Sequence, residues 1–169
     1  MAKRLLKEFP KIQFSVSATT RKPRTGEVDG KHYHFLSREE FKKRVKEGDF
    51  LEWESYNRHL YGTLRSSVDS QLEKGYFVLL DIEVLGALNV KKIFGDQALA
   101  IFIQPPSIDV LRERLLSRGT ESESTIESRI KRAEYELTKA DQFDRIVIND
   151  DLEEAYSQIR EIVSNFINS

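Results

Sequence analysis

YFVLLDIE, residues 76–83, is the stretch on which the fold turns. From Tyr76 to Leu80 apolar residues follow one another without alternation. A strand with one wet face would alternate, because successive side chains point to opposite sides. An unbroken apolar run of this length suits a strand buried on both faces. Two further runs of the same kind follow, ALAIFIQ at 98–104 and DRIVIN at 144–149. Helical patterns separate them. VLGALNVKKIFG follows the first, and SIDVLRERLLSRG, capped by Ser107, follows the second. SESTIESRIKRAEYELTKA comes next, with Ser124 and Glu127 spaced as a capping box. DLEEAYSQIREIVSNFI closes the chain as an amphipathic helix. Strand and helix in alternation predict an α/β fold built on a parallel sheet.

The first half is more mixed. MAKRLLKEF carries Leu5, Leu6 and Phe9 at helical spacing, and Pro10 stops it. KIQFSVSA alternates Ile12, Phe14 and Val16, which predicts a strand. KHYHFLS reads as a short second strand. SREEFKKRVKEG is a helix opened by a Ser37–Glu40 capping box and ended by Gly48. DFLEWESY and RHLYGT are strands of a small sheet, and LRSSVDSQLEKG is a helix with Thr63 as cap and Gly75 as stop.

The 169 residues are 39% hydrophobic, enough for the core of one domain. Charge is uneven. Residues 1–46 carry thirteen Lys/Arg against five Asp/Glu, and the other 123 carry fourteen against twenty-three. That asymmetry points to a face built for an anion. The absence of cysteine excludes disulfides and thiolate metal sites and suits a reducing compartment. No apolar run reaches the roughly 20 residues of a membrane span, and the first ten residues lack the apolar stretch of a secretory signal. The expectation is a cytoplasmic protein. His32, His34 and His59 fall on short strands without metal spacing and are expected to be partly exposed.

Ligands of open α/β sheets bind beyond the carboxyl ends of the strands. Two candidates lie there. One is Ser17 to Arg24, inside FSVSATTRKPR at 14–24, where a strand runs into Arg21, Lys22 and Arg24. The other is the pair Asp81 and Glu83. A carboxylate that ends a buried strand is costly unless it has a use.

Read together, FSVSATTRKPRTGEVDGKHYHF, FLEW, YGT, LLDIE, IQPPS, LSRGTESE and VINDD resemble guanylate kinases, in family order from residue 14 to 151. The resemblance implies one domain over 1–169. It implies a parallel sheet flanked by helices, as in P-loop kinases, with a mixed-strand GMP-binding subdomain at 17–75 and a helical lid at 118–127. It also implies transfer of the γ-phosphoryl of ATP to GMP. Arg21 and Arg24 would hold the GMP phosphate with the hydroxyls of Tyr33 and Tyr61, since guanidinium forks match phosphate and keep their charge. Glu52 would accept the two donors of the guanine edge, beside Ser17 and Thr63. Glu83 would face guanine where relatives usually carry Asp. Asp81 would lie near Mg²⁺ and the phosphates; an N-cap for the following helix is its structural alternative. Arg114, Arg118 and Arg129 would close over the transferring phosphoryl group. Arg114 and Arg118 would also touch ATP, with Asn149 near the adenine. Mg²⁺ would arrive with ATP, with no dedicated protein cage.

The resemblance also implies an N-terminal strand and a G-x-x-x-x-G-K-[ST] loop. The eight glycines, at 26, 30, 48, 62, 75, 86, 95 and 119, form none; GEVDGKH is the nearest stretch. Leu85 stands where relatives often have Gln. A shortened or misplaced start is the first explanation. The alternative is a non-catalytic module that binds GMP or a phosphorylated protein with the same face. In either case a second chain could fill the place of a missing strand. Nucleic acid is not expected as a partner, because neither an aromatic platform nor a basic helical stripe is present.

Overall fold

The computed structural model describes residues 1–56, 58–117, 119 and 122–169. They divide into two compact units, Met1–Phe94 and Gly95–Ser169. In chain order the first unit holds α1 (Ala2–Glu8), β1 (Ile12–Phe14), β2 (Ala18–Thr19), β3 (His34–Phe35), α2 (Arg38–Glu47), β4 (Phe50–Tyr56), β5 (His59–Leu64), α3 (Arg65–Glu73), β6 (Phe77–Leu79) and α4 (Val84–Phe94). The second holds β7 (Ile101–Gln104), α5 (Ile108–Ser117), α6 (Glu123–Leu137), β8 (Arg145–Ile148) and α7 (Leu152–Ile167).

The α/β reading holds, and its parallel pairs are present. β1 runs parallel to β6, and β7 parallel to β8. The expected single strand from Lys11 to Ala18 divides in two. Its first part pairs with β6, and the chain then crosses to a four-stranded mixed sheet ordered β3-β2-β5-β4. Full burial of the apolar strands is not observed. β6 is half-buried along its length, and it is bonded along one edge, to β1. β8 buries Val147 completely while Ile146 and Ile148 stay about half exposed, as does Ile103 on β7. Side chains alternate across a strand, so among the described residues this pair covers one face.

Two of the expected caps also move. Thr63 lies inside β5, buried, and Leu64 takes the N-cap position of α3. Ser122 rather than Ser124 caps α6, accepting from the Thr125 N–H, while Glu127 reaches Arg112 on α5. The Ser37 cap is as read: its hydroxyl accepts from the Glu40 N–H at 3.0 Å. The Glu40 carboxylate turns instead to Arg44, four residues on. Ser107 accepts from the Val110 N–H at 3.2 Å. His32 is exposed in the turn before β3, where its Nδ1 accepts from Val28.

One irregularity decides which residues of β4 share the polar face of the mixed sheet. Phe50 pairs with Leu64 and Glu52 with Thr63, so two steps on β4 oppose one on β5. This bulge reverses which side each later residue of β4 faces. Phe50 therefore packs with Ala18, Phe41, Leu60 and Leu64 in the apolar core. Phe41 and Phe50 stack at 4.4 Å, and Phe41 is wholly buried. Burying a ring of that size contributes about 1.5–3 kcal/mol. Glu52, two residues later, turns to the opposite face with Thr63 and Tyr61.

Candidate active site

The polar face of the mixed sheet gathers most of the residues singled out in the first half of the chain. β5 contributes Tyr61 and Thr63, β4 contributes Glu52, and Tyr33 precedes β3. Glu52 is 6% exposed, and its Oε1 accepts from the Thr63 hydroxyl at 2.6 Å. Burial pushes its carboxyl above the usual carboxylate range, and the neighbouring Glu54 adds to the rise; the Thr63 hydrogen bonds act against it. Its other oxygen, Oε2, rests against α4. A Cβ at Gly86 would lie 2.5 Å from it. Gly86 is the reason the helix can approach this closely.

Arg21 leaves the end of β2 and folds back over the same face. Its guanidinium carbon lies 5.3 Å from the Tyr33 ring centre and 5.8 Å from that of Phe35. Nη1 and Nη2 donate to the two Glu27 oxygens at 2.9 and 2.8 Å, and Nη1 also donates to the Lys22 carbonyl at 2.7 Å. The Glu27 partnership raises the Arg21 pKa above its ordinary value, and the Tyr61 hydroxyl contributes. Tyr33 meets Tyr61 edge-on at 6.1 Å. Burial raises the Tyr33 phenol, with Tyr61 adding to it. Arg24 sits on the exposed turn that follows. Its N–H donates to Glu27 Oε2 at 2.6 Å, and Glu27 N–H returns a bond to the Arg24 carbonyl at 3.0 Å.

Three further candidates belong to this unit. Ser17 is half-buried just before β2, and its carbonyl accepts from His34 N–H at 2.9 Å. Asp81 is exposed in the loop after β6 and Glu83 is half-buried at the head of α4. Glu83 supplies the carbonyl that Ala87 N–H bonds, so the helix starts from Glu83 and Asp81 is not its cap.

The second unit carries the remaining arginines. Arg114 on α5 donates from Nη1 to the Asn149 carbonyl at 2.6 Å and from Nη2 to the Asp150 carbonyl at 3.0 Å. Asn149 directly follows β8, and its N–H continues the ladder to the Gln104 carbonyl. Arg129 is half-buried on α6. Arg118 lies outside the described residues, as does part of the 118–127 segment.

Two functional neighbours escaped the sequence reading. Glu27 holds Arg21, and only its spacing six residues on, across a Gly-containing turn, hinted at it. Gly86 makes room for Glu52, and nothing in a helical run announces that. Among the described residues no group of three His, Cys, Asp or Glu stands close enough to hold a metal ion. No described helix is long and apolar enough to cross a membrane.

Comparison with known proteins identifies the family. A family model described as guanylate kinase matches residues 1–166. A guanylate kinase of Bacteroides thetaiotaomicron is 49% identical over 165 residues, 97% of this chain and 81% of the relative. One of Salinibacter ruber is 51% identical over 170 residues, covering 100% of this chain and 90% of the relative. The crystal structure of guanylate kinase from Anaplasma phagocytophilum superposes with a TM-score of 0.80 at 32% identity, covering 97% of this chain and 79% of that one. These relatives do not favour the non-catalytic module. The chain belongs to the guanylate kinase family, enzymes that phosphorylate GMP with ATP.

Proposed function

We propose that the polar face of the mixed sheet is the GMP site of this kinase. Arg21 and Arg24 bind the substrate phosphate with the hydroxyls of Tyr33 and Tyr61. Glu52 accepts the N1–H and N2–H donors of guanine, with Ser17, Thr63 and Glu83 around the base. Adenine presents an acceptor where guanine presents N1–H, so a buried carboxylate repels it. The observation that carries this reading is Glu52: a carboxylate 6% exposed, held by Thr63, on the face over which Arg21 lies. Carboxylates are rarely buried without such a task.

Arg114, Arg118 and Arg129 act on the transferring phosphoryl group, where cations offset the charge that spreads over its oxygens. Arg114, Arg118 and Asn149 also bind ATP. The bond from Arg114 to the Asn149 carbonyl supports a shared assignment for those two. Mg²⁺ neutralises phosphate charge when it enters with ATP. Asp81, an exposed single carboxylate, fits an ion that keeps most of its waters and touches one or two carboxylates. The lid is the 118–127 segment, and the GMP subdomain is residues 17–75 within a single 1–169 domain. A cytoplasmic role in purine nucleotide metabolism, away from nucleic acid and membranes, follows from the reaction and from the cysteine-free composition.

Calorimetric titration with GMP and AMP tests the site. Glu52→Gln turns one acceptor into a donor against guanine and should weaken GMP by about 1–3 kcal/mol. AMP, already weak, should change little. Equal losses for both nucleotides would remove Glu52 as the guanine reader.

A further inference from the structure

Glu27 does not belong to any role assigned above, yet it makes the most complete set of bonds at the phosphate end of the face. Its two oxygens take one N–H from each terminal nitrogen of Arg21, and Oε2 also takes the Arg24 N–H. The ion pair is well sheltered, with Arg21 and Glu27 side chains 13% and 18% exposed. A guanidinium has five N–H groups in a rigid fork. Glu27 and the Lys22 carbonyl engage three of them, all on the Nη1–Nη2 end or beyond it. The other two, on Nε and on the outer side of Nη2, lie along one edge, and the Tyr61 hydroxyl is a further partner of the same guanidinium. That edge is itself a bidentate fork for a phosphate. Tyr33 and Phe35 flank the same guanidinium and restrict its rotation.

We infer that Glu27 is a positioning residue for GMP, holding the far end of Arg21 so that its Nε–Nη2 edge meets the substrate phosphate. This rests on the assignment of Arg21 to the phosphate in the proposed GMP site. The inference runs against simple electrostatics. A carboxylate beside a dianion repels it, so its charge alone predicts that removing Glu27 tightens GMP binding. Positioning predicts the reverse, because a freed guanidinium must be ordered again when GMP binds. Through the Arg24 N–H the same carboxylate also shapes the turn that carries the second arginine.

Titrations of Glu27→Gln, Arg21→Gln and the double variant with GMP and with guanosine separate these cases. Guanosine lacks the phosphate and reports whether the base site is still folded. Glu27→Gln should bind GMP about tenfold more weakly, a cost of about 1.4 kcal/mol, and guanosine as the parent does. In the Arg21→Gln background the same change should add little, because its partner is gone. GMP binding by Glu27→Gln that equals or exceeds the parent's would overturn the inference. So would equal losses for GMP and guanosine, or a further tenfold loss when Glu27→Gln is added to Arg21→Gln. Arg21→Gln with undiminished GMP affinity would overturn the assignment of Arg21 itself, whatever Glu27→Gln does.

Discussion

Gly86→Ala displaces the carboxylate proposed to read guanine without replacing any residue of the proposed GMP site. The added Cβ would lie 2.5 Å from Glu52 Oε2, whereas ordinary contact begins at 3.4 Å, so the oxygen must retreat by about 0.9 Å. The three nearest atoms all belong to the Glu52 side chain, with Cδ at 3.0 Å and Cγ at 3.2 Å. The carboxylate is the part that yields. It is tied to Thr63 at 2.6 Å, and a displacement of that size strains or breaks the bond. A buried hydrogen bond to a charged group is worth about 1.5–3 kcal/mol. Alanine is preferred over glycine in a helix by about 1 kcal/mol, which offsets part of the loss. The variant should therefore melt close to the parent, no more than about 2 kcal/mol less stable. Its GMP affinity should fall about tenfold or more, and its preference for GMP over AMP should shrink with it. Thermal melting and paired titrations read the two effects separately. A folded Gly86→Ala protein that keeps the parental affinity and the parental preference would refute the placement of Glu52 against α4.

Two further outcomes follow from the mixed sheet and the turn beside it. The Glu27 carboxyl is held at about 2 against an ordinary 4.5, chiefly by Arg21 and next by the Arg24 N–H. Its folded value lies below its unfolded one, so the stability it contributes is complete above about pH 4.5 and is lost as pH falls toward 2. An NMR titration of that carboxyl with a midpoint near 4.5 would show that the ion pair does not form in solution. Gly62→Ala, by contrast, should be severe: its Cβ would meet the Glu52 carbonyl and Trp53 Cβ at 2.9 Å, and the Phe50 ring at 2.8 Å. Overpacking of that kind costs about 1–3 kcal/mol or more, and a melting temperature equal to the parent's would contradict it.

The runs YFVLLDI, ALAIFIQ and DRIVIN determined the alternation of strand and helix, because an apolar run bounded by helical patterns has few other uses. The order of motifs from FSVSATTRKPR to VINDD was enough to indicate the family. Arg21, Tyr33, Glu52, Tyr61 and Thr63 were named from sequence, and tertiary structure brings them to one face of one sheet. Burial was less legible. Ile103, Ile146 and Ile148 look like core residues in a string of letters, but exposure depends on what covers each face. Caps failed where a hydroxyl had a stronger local claim, as Thr63 has on Glu52. The decisive features of the site were beyond the sequence altogether. FLEW would place Phe50 and Glu52 on the same side of a regular strand, and only the bulge between them sends one to the core and the other to the polar face. Glu27 and Gly86 act through distances of a few ångström to residues far along the chain or across a turn. Composition and periodicity fix which residues are apolar and how often they recur; strand register and the approach of a helix to a sheet are set by packing, which no local pattern encodes.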